Sequence, residues 1–465
     1  MSNPGAADNT PVTSIAQMAA YIATGCKPRA GWRIGTEHEK FAFALRDLAP
    51  PTYEGAIRPL LEGLTAYGWA PILDRGNVIG LTRDQASVSL EPAGQFELSG
   101  APLETLHGTR AELDEHFAEL KPVAERLGLD FAMLGFHPTG TRADMHWMPK
   151  GRYAIMRRYM PTVGGQGLDM MLRTCTVQVN LDFESEADMV EKLRLSLALQ
   201  PVATALFANS PFKEGADTGY ASWRSQVWTD TDSDRTGIPR VVFEDGFGFE
   251  RYVEWLIDVP MYFVYRDGTY HDVAGKSFRD FMAGRLEGFE GQLPTMGDFA
   301  DHMTTVFTEV RLKKFLEMRG ADAGPPAMLA ALPALWVGLL YDDAAQKAAW
   351  SLVRDNCTSD IFSLRETVPR MGLSAPWCGR TARELARDVL TIAEGGLRAR
   401  ARRNKQGEDE TIYLAPLWEI VESGQTFADR WRAANLREWR GDITRVFGAS
   451  ALYGFTPEMS AAVGA

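Results

Sequence analysis

The chain has 465 residues, 45% hydrophobic and 24% charged, which is enough to bury a large core and excludes a disordered protein. With 49 basic and 61 acidic residues the net charge is −12, which argues against a general nucleic-acid binder. Cys26, Cys175, Cys357 and Cys378 form no C-x-x-C pair and fit neither a zinc site nor a disulfide framework, so a reducing cytoplasm is expected.

The first twelve residues are small and polar and are read as flexible; no basic segment precedes an apolar core, so no signal peptide is expected. Periodicity then predicts a helix over 14–24, a strand over 32–44, a helix over 57–68, and strands at 79–81 and 88–98. Residues 103–127 carry a long amphipathic helix pattern, with Leu106, Leu113, Phe117, Leu120 and Val123 on one stripe. A strand is predicted near 131–136, and plain alternation over 174–183 marks a central strand. Helices follow over 188–207 and 249–259, and 312–319 ends in a strand. From 325 onward the pattern is mostly helical, broken by Pro369, Pro376 and Pro416. The longest apolar run, 328–341, contains Pro333 and is too short to span a bilayer, so no membrane partner is expected. The expected organisation is a catalytic α+β body over 13–325 and a helical C-terminal portion over 326–465. The basic run 398–405 is read as a solvated helix end, where cations suit the dipole.

The chemistry concentrates in four segments. Glu37 and Glu39, in Gly-Thr-Glu-His-Glu-Lys-Phe, are two apart and share a strand face. A hard divalent cation would relieve their repulsion; a solvated strand face is the equal alternative for this pair alone. In residues 89–98, Gln95 and Glu97 share a face, while Pro92 and Gly94 can bulge the strand and leave the side of Glu91 open. In residues 175–182, Thr176, Gln178, Asn180 and Asp182 line one face, and Val177, Val179 and Leu181 the other. Glu317 and Arg319 again share a face. Together these predict one sheet with a polar concave face holding several cations, whose natural ligand is a nucleoside triphosphate. Neither a P-loop nor a G-x-G-x-x-G turn is present. Arg152 and Arg224 sit in loop-like contexts suited to gripping a carboxylate, with Arg157, Arg158, Arg173 and Arg235 as competitors. The run Asp230 to Asp234 mimics an EF-hand start, but Arg235 stands where Gly is required and Val241 where Glu is required.

Residues 32–41, 89–107, 148–182 and 228–237 closely resemble the plant-type glutamate–cysteine ligases, a group that includes bacterial members. The resemblance runs nearly colinearly from about 13 to about 343 and weakens in the helical part. It implies an α+β, glutamine-synthetase-like fold whose curved antiparallel sheet forms an open funnel. It implies ATP-dependent joining of the L-glutamate γ-carboxyl to the L-cysteine amine through a γ-glutamyl phosphate, the first step of glutathione biosynthesis. Carried over residue by residue, it makes Glu37, Glu39, Glu91, Glu97 and Glu317 metal ligands for two or three Mg²⁺, with Mn²⁺ also accommodated. It makes Arg152 and Arg224 substrate-binding, Tyr262 part of the cysteine pocket, and Gln178, Asn180 and Arg319 contacts to ATP, with Glu317 and Arg319 catalytic. Where plant members carry regulatory disulfides this chain has Arg110 and Ala330, and Val273 and Gly288, so no such redox switch is expected. The missing N-terminal extension suits a bacterial, cytoplasmic member, monomeric or weakly homodimeric. A sister ligase using another amine, and a non-catalytic nucleotide sensor, remain alternatives.

Overall fold

Strict alternation of polar and apolar residues over 176–181 builds one of the central strands. The computed structural model describes residues 8–354 and 358–456, so Cys357 and residues 1–7 lie outside the description. Among the described residues nine strands form one sheet. In chain order they are β1 (Ile34–Ala44), β2 (Ala70–Asp74), β3 (Asn77–Arg83), β4 (Ala86–Leu90), β5 (Phe96–Ser99), β6 (Leu129–Ala132), β7 (Thr176–Leu181), β8 (Val310–Leu312) and β9 (Leu316–Asp322). Their spatial order is β8-β9-β7-β1-β5-β4-β3-β2, with β6 paired to the end of β1, and every pairing is antiparallel.

The apolar face of β7, with Val177, Val179 and Leu181, joins one core with the helices Glu186–Leu206, Pro326–Leu340 and Ala382–Arg400. A half-apolar strand gains stability only by turning that half onto another layer, and these helices supply it. The long apolar run is thus a buried core helix. Among the described residues no single helix is long and apolar enough to cross a membrane; Pro326–Leu340 passes such a test only together with Asp343–Val353, across a 93° bend. The Pro326–Leu340 and Ala382–Arg400 helices cross backbone on backbone. A Cβ on Gly338 would stand 2.3 Å from Ala393 O, and one on Gly396 1.9 Å from Gly338 O.

The amphipathic helix forms over Leu106–Arg126, and its predicted stripe is buried throughout. Thr105 caps it by accepting from Gly108 N (3.1 Å). Two segments read as loops are instead first turns of helices, Gly151–Val163 and Trp223–Trp228. The second has a local cap, Ser222, which accepts from Ser225 N (3.1 Å). The first is held from a distance: Asp74, the last residue of β2, accepts from Gly151 N (2.8 Å). Strand β2 itself was not foreseen, because most of it is exposed and carries no core alternation. Pro369 does not break its helix but lies within Thr358–Met371, and Pro416 sits in the first turn of Ala415–Ser423, where a missing N–H costs nothing. Of the stretch read as flexible, residues 8–12 are tied down: Val12 N donates to Pro294 O (2.7 Å) and Met296 N to Thr10 O (2.8 Å).

The close helix crossing gives a paired test. Gly396→Ala drives a methyl group into the Gly338 carbonyl and is predicted to cost about 1–3 kcal/mol. At neighbouring Gly395 a Cβ meets nothing within 4 Å, so Gly395→Ala should be neutral or stabilising by up to ~1 kcal/mol. Denaturant unfolding of both variants checks this; equal stability of the two would contradict the crossing.

Candidate active site

The polar face of the sheet floors an open cavity. Strand register sets its floor. Glu39 on β1 faces Glu97 on β5, and Glu37 faces Gln178 on β7. The β4–β5 turn decides the side of Glu91. Gly94 takes a φ of +82°, its N–H donates to Glu91 O (2.9 Å), and Glu91 N donates to Gln95 O (3.0 Å). Gln95 accepts from Ala93 N (2.9 Å) across the same turn. The turn brings Glu91 into the cavity beside Glu97. Arg152 and Arg224 enter from the first turns of their helices, and Arg319 from β9. Met156, Met170, Met171, Trp228 and Phe307 add an apolar lining.

The floor is electrostatically crowded. Burial, then the charges of Glu91 and Glu37, pushes the Glu97 carboxyl up to about 8. Burial and the charges of Glu91 and Glu97 raise Glu39 well above the carboxylate range. Lys150, itself buried, donates to Ser89 Oγ (2.9 Å); burial brings its ammonium down to about 8 against the pull of Glu91 and Glu97. Glu317 has the opposite surroundings. Burial alone would raise its carboxyl, but Arg311, Lys313 and Arg319 hold it well below the usual range. Arg311 is its cross-strand partner and donates from Nε (3.0 Å) and Nη2 (2.8 Å); Lys313 Nζ lies 2.8 Å away. Arg319 donates both to Glu317 and to Gln178 Oε1 (2.6 Å). Arg224 Nη2 donates to Arg319 O (2.9 Å), while its buried Nε and Nη1 have no hydrogen-bond partner among the described residues. A buried guanidinium with donors to spare is a site for an anion. Crowded, buried carboxylates thus share one cavity with a guanidinium that has donors to spare.

The sequence matches a known family. The family model for glutamate–cysteine ligase family 2 covers residues 33–449. The chain belongs to that family. It is 51% identical over 431 residues to the chloroplastic glutamate–cysteine ligase B of Oryza sativa subsp. japonica, covering 92% of this chain and 86% of that one. It is equally similar to the chloroplastic glutamate–cysteine ligase of Arabidopsis thaliana, 51% over 431 residues, with 92% and 81% covered. In structure it resembles the Francisella tularensis glutamate–cysteine ligase solved in complex with AMP, with a TM-score of 0.54 at 12% identity over 93% of this chain and 91% of that one. At that identity the likeness speaks for the fold, an α+β architecture around a large antiparallel sheet.

Against this family pattern the structure brings Glu37, Glu39, Glu91, Glu97, Gln178, Arg152, Arg224 and Arg319 around one cavity. Three expected members do not line it. Asn180 turns to its neighbour, and its Nδ2 donates to Glu37 Oε1 (2.7 Å). Glu317 is fully buried beneath its three cations. Tyr262 was expected to line a pocket, but its ring lies under the Arg235 guanidinium (3.9 Å to the centroid) and its hydroxyl donates to Met160 Sδ (3.4 Å). It packs on Phe307, which does line the cavity. The competing arginines are structural: Arg173 pairs with Asp169 and Glu214, Arg235 with Asp232, and Arg158 with Asp272, while Arg157 stacks on Trp147. Lys150, Arg311 and Lys313 were not foreseen. The tight β8–β9 hairpin was the available signal for Arg311, since it sets residues 311 and 317 opposite each other.

A carboxyl whose folded pKa is about 8, against 4.5 ordinarily, binds its proton more tightly in the folded state. It therefore lowers stability progressively as pH rises from about 4.5 through 8. Glu97→Gln should melt higher than the parent at pH 8.5 and alongside it at pH 5, both in chelator. A parent that is the more stable at pH 8.5 would contradict the crowding of this floor.

Proposed function

We propose that this chain joins the γ-carboxyl of L-glutamate to the amine of L-cysteine using ATP, releasing γ-glutamylcysteine, ADP and phosphate as the first step of glutathione biosynthesis. The carrying observation is that family membership across residues 33–449 coincides with a cavity where the acidic floor and the arginine walls are both present. A chain that had lost catalysis would be free to lose several of these residues.

The residues then divide the work. Arg152 and Arg224 receive amino-acid carboxylates, for which a guanidinium fork is suited. Arg319 stands beside the transferred phosphoryl group and stabilises charge that develops there. Gln178 fixes Arg319 by accepting its hydrogen bond (2.6 Å), and Asn180 fixes Glu37. The γ-carboxylate oxygen takes the γ-phosphoryl of ATP, giving a γ-glutamyl phosphate. The amine nitrogen then bonds to the acyl carbon as phosphate leaves. No protein nucleophile is required, and Cys175 is fully buried with its thiol pushed up by burial.

The donor set on the floor fits a hard divalent cation. It offers carboxylate oxygens, and burial, with their mutual repulsion added, raises Glu39 and Glu97. Among the described residues no three acidic or imidazole groups converge to enclose an ion. Mg²⁺, or Mn²⁺, would therefore need nucleotide phosphates and water to complete its ligands. Glu37, Glu39, Glu91 and Glu97 would hold it, and Glu317 could join only by releasing its arginines to the phosphates. When bound, the cation neutralises phosphate charge during transfer.

Two measurements follow. ADP release by the purified protein should require ATP, a divalent cation and both amino acids, with γ-glutamylcysteine in the product and chelator abolishing it. Release indifferent to L-cysteine would send the amine assignment elsewhere, and tight ATP binding without turnover would favour a sensor. Glu317→Ala should reduce turnover at least ~10²-fold, because it removes the carboxylate that accepts from Arg319 and holds it beside Arg311 and Lys313; near-normal turnover would count against the role given to this strand.

A further inference from the structure

Asp322 ends β9, the strand that carries Glu317 and Arg319, and is buried to 1% exposure without touching the cavity. Its carboxylate accepts three hydrogen bonds: from Asn209 N (2.8 Å) and Ser210 Oγ (2.6 Å) at Oδ2, and from Ser222 Oγ (2.8 Å) at Oδ1. Each serine hydroxyl that donates to Asp322 also accepts from the first turn of the Trp223–Trp228 helix. Ser210 Oγ accepts from Arg224 N (3.1 Å), and Ser222 Oγ from Ser225 N (3.1 Å). The two hydroxyls can serve the helix as acceptors because the Asp322 carboxylate accepts the hydrogen bonds they donate.

Other contacts lock the device. Trp223 N donates to Ser210 O (2.9 Å), and Ser222 N to Pro369 O (2.9 Å) from the C-terminal helices. Gly135 leaves the room Asp322 needs, since a Cβ there would stand 2.4 Å from the Asp322 Cγ. At the other end, Arg224 is tied by Nη2 to Arg319 O, on the same strand as Asp322. Both ends of Arg224 are therefore referenced to β9, and its Nε and Nη1 are left for an anion.

We propose that Asp322, acting through Ser210 and Ser222, is a positioning residue that fixes the helix start carrying Arg224, so that its guanidinium meets a substrate carboxylate already aligned. This rests on the reading of Arg224 as a substrate-binding residue. Asp322→Asn is nearly isosteric but must present an NH₂ group to one serine, and that hydroxyl then loses its acceptor.

The test is a double-substitution cycle on the full-length protein, with KM measured for L-glutamate, L-cysteine and ATP. Arg224→Gln identifies the amino acid whose KM depends on the guanidinium. Asp322→Asn should raise that same KM ~10-fold or more and leave the KM for ATP within about twofold, as misplacement of a gripping group does. In the Arg224→Gln background, Asp322→Asn should add less than about twofold, because nothing is left to position. Ser210→Ala, a smaller change, should raise the same KM by about threefold and carries the test if Asp322→Asn does not fold. Effects of Asp322 and Arg224 that multiply fully, or a loss spread evenly over all three substrates, would overturn the positioning role while leaving the site reading intact. An Arg224→Gln enzyme with all three KM values unchanged would overturn the site reading and the positioning role together.

Discussion

Glu39 and Glu97 face each other because β1 and β5 are in register, and neither can turn away without breaking the sheet. Glu91 is added to the same spot by a glycine turn. Like charges at such separations, out of water, are among the most costly arrangements a protein can hold. The rest of the site answers that cost. Lys150 is drawn in beneath the floor, and Arg152, Arg224 and Arg319 stand around it. Where the fold can satisfy a carboxylate internally it does so completely, as at Glu317. Where it does not, at Glu39 and Glu97, burial and the neighbouring carboxylates keep the groups above the carboxylate range.

The arginines show the complementary economy of the scaffold. A buried guanidinium is tolerated here because its surroundings supply charge from behind and a backbone oxygen from one side. For Arg224 burial works against the charged form, and Asp322, Glu39 and Glu309 offset that in part. Its helix is only six residues long, too short to hold itself against fluctuation. The serines beneath it, and the strand end beneath them, provide the rigidity that the helix lacks. The placement of Arg224 at the cavity wall thus comes from the sheet even though the residue sits on a helix.

Much of this was legible in the sequence because period-two alternation is a local signal. Residues 174–183 had to place Gln178 opposite Val177 and Val179, and the stripe from Leu106 to Val123 had to face a core. What stayed hidden depends on residues far apart in the chain. The first turn that carries Arg152 is capped by Asp74, and the one that carries Arg224 is fixed by Asp322, so both read as loops in isolation. Tyr262 was assigned to a pocket by resemblance alone; its ring lies under the Arg235 guanidinium behind cavity-lining Phe307, and no periodicity encodes those contacts. Glu91 could not be assigned a side until the left-handed conformation of Gly94 was known.

The most direct test of the central claim is electron paramagnetic resonance of Mn²⁺ titrated into the metal-free protein, with and without a non-hydrolysable ATP analogue. The account predicts that the nucleotide sharply tightens Mn²⁺ binding, that the bound ion shows phosphorus coupling, and that Glu39→Gln and Glu97→Gln weaken it. Mn²⁺ bound no more tightly than by the free nucleotide, and indifferent to both substitutions, would contradict a floor built to share its cations with phosphate.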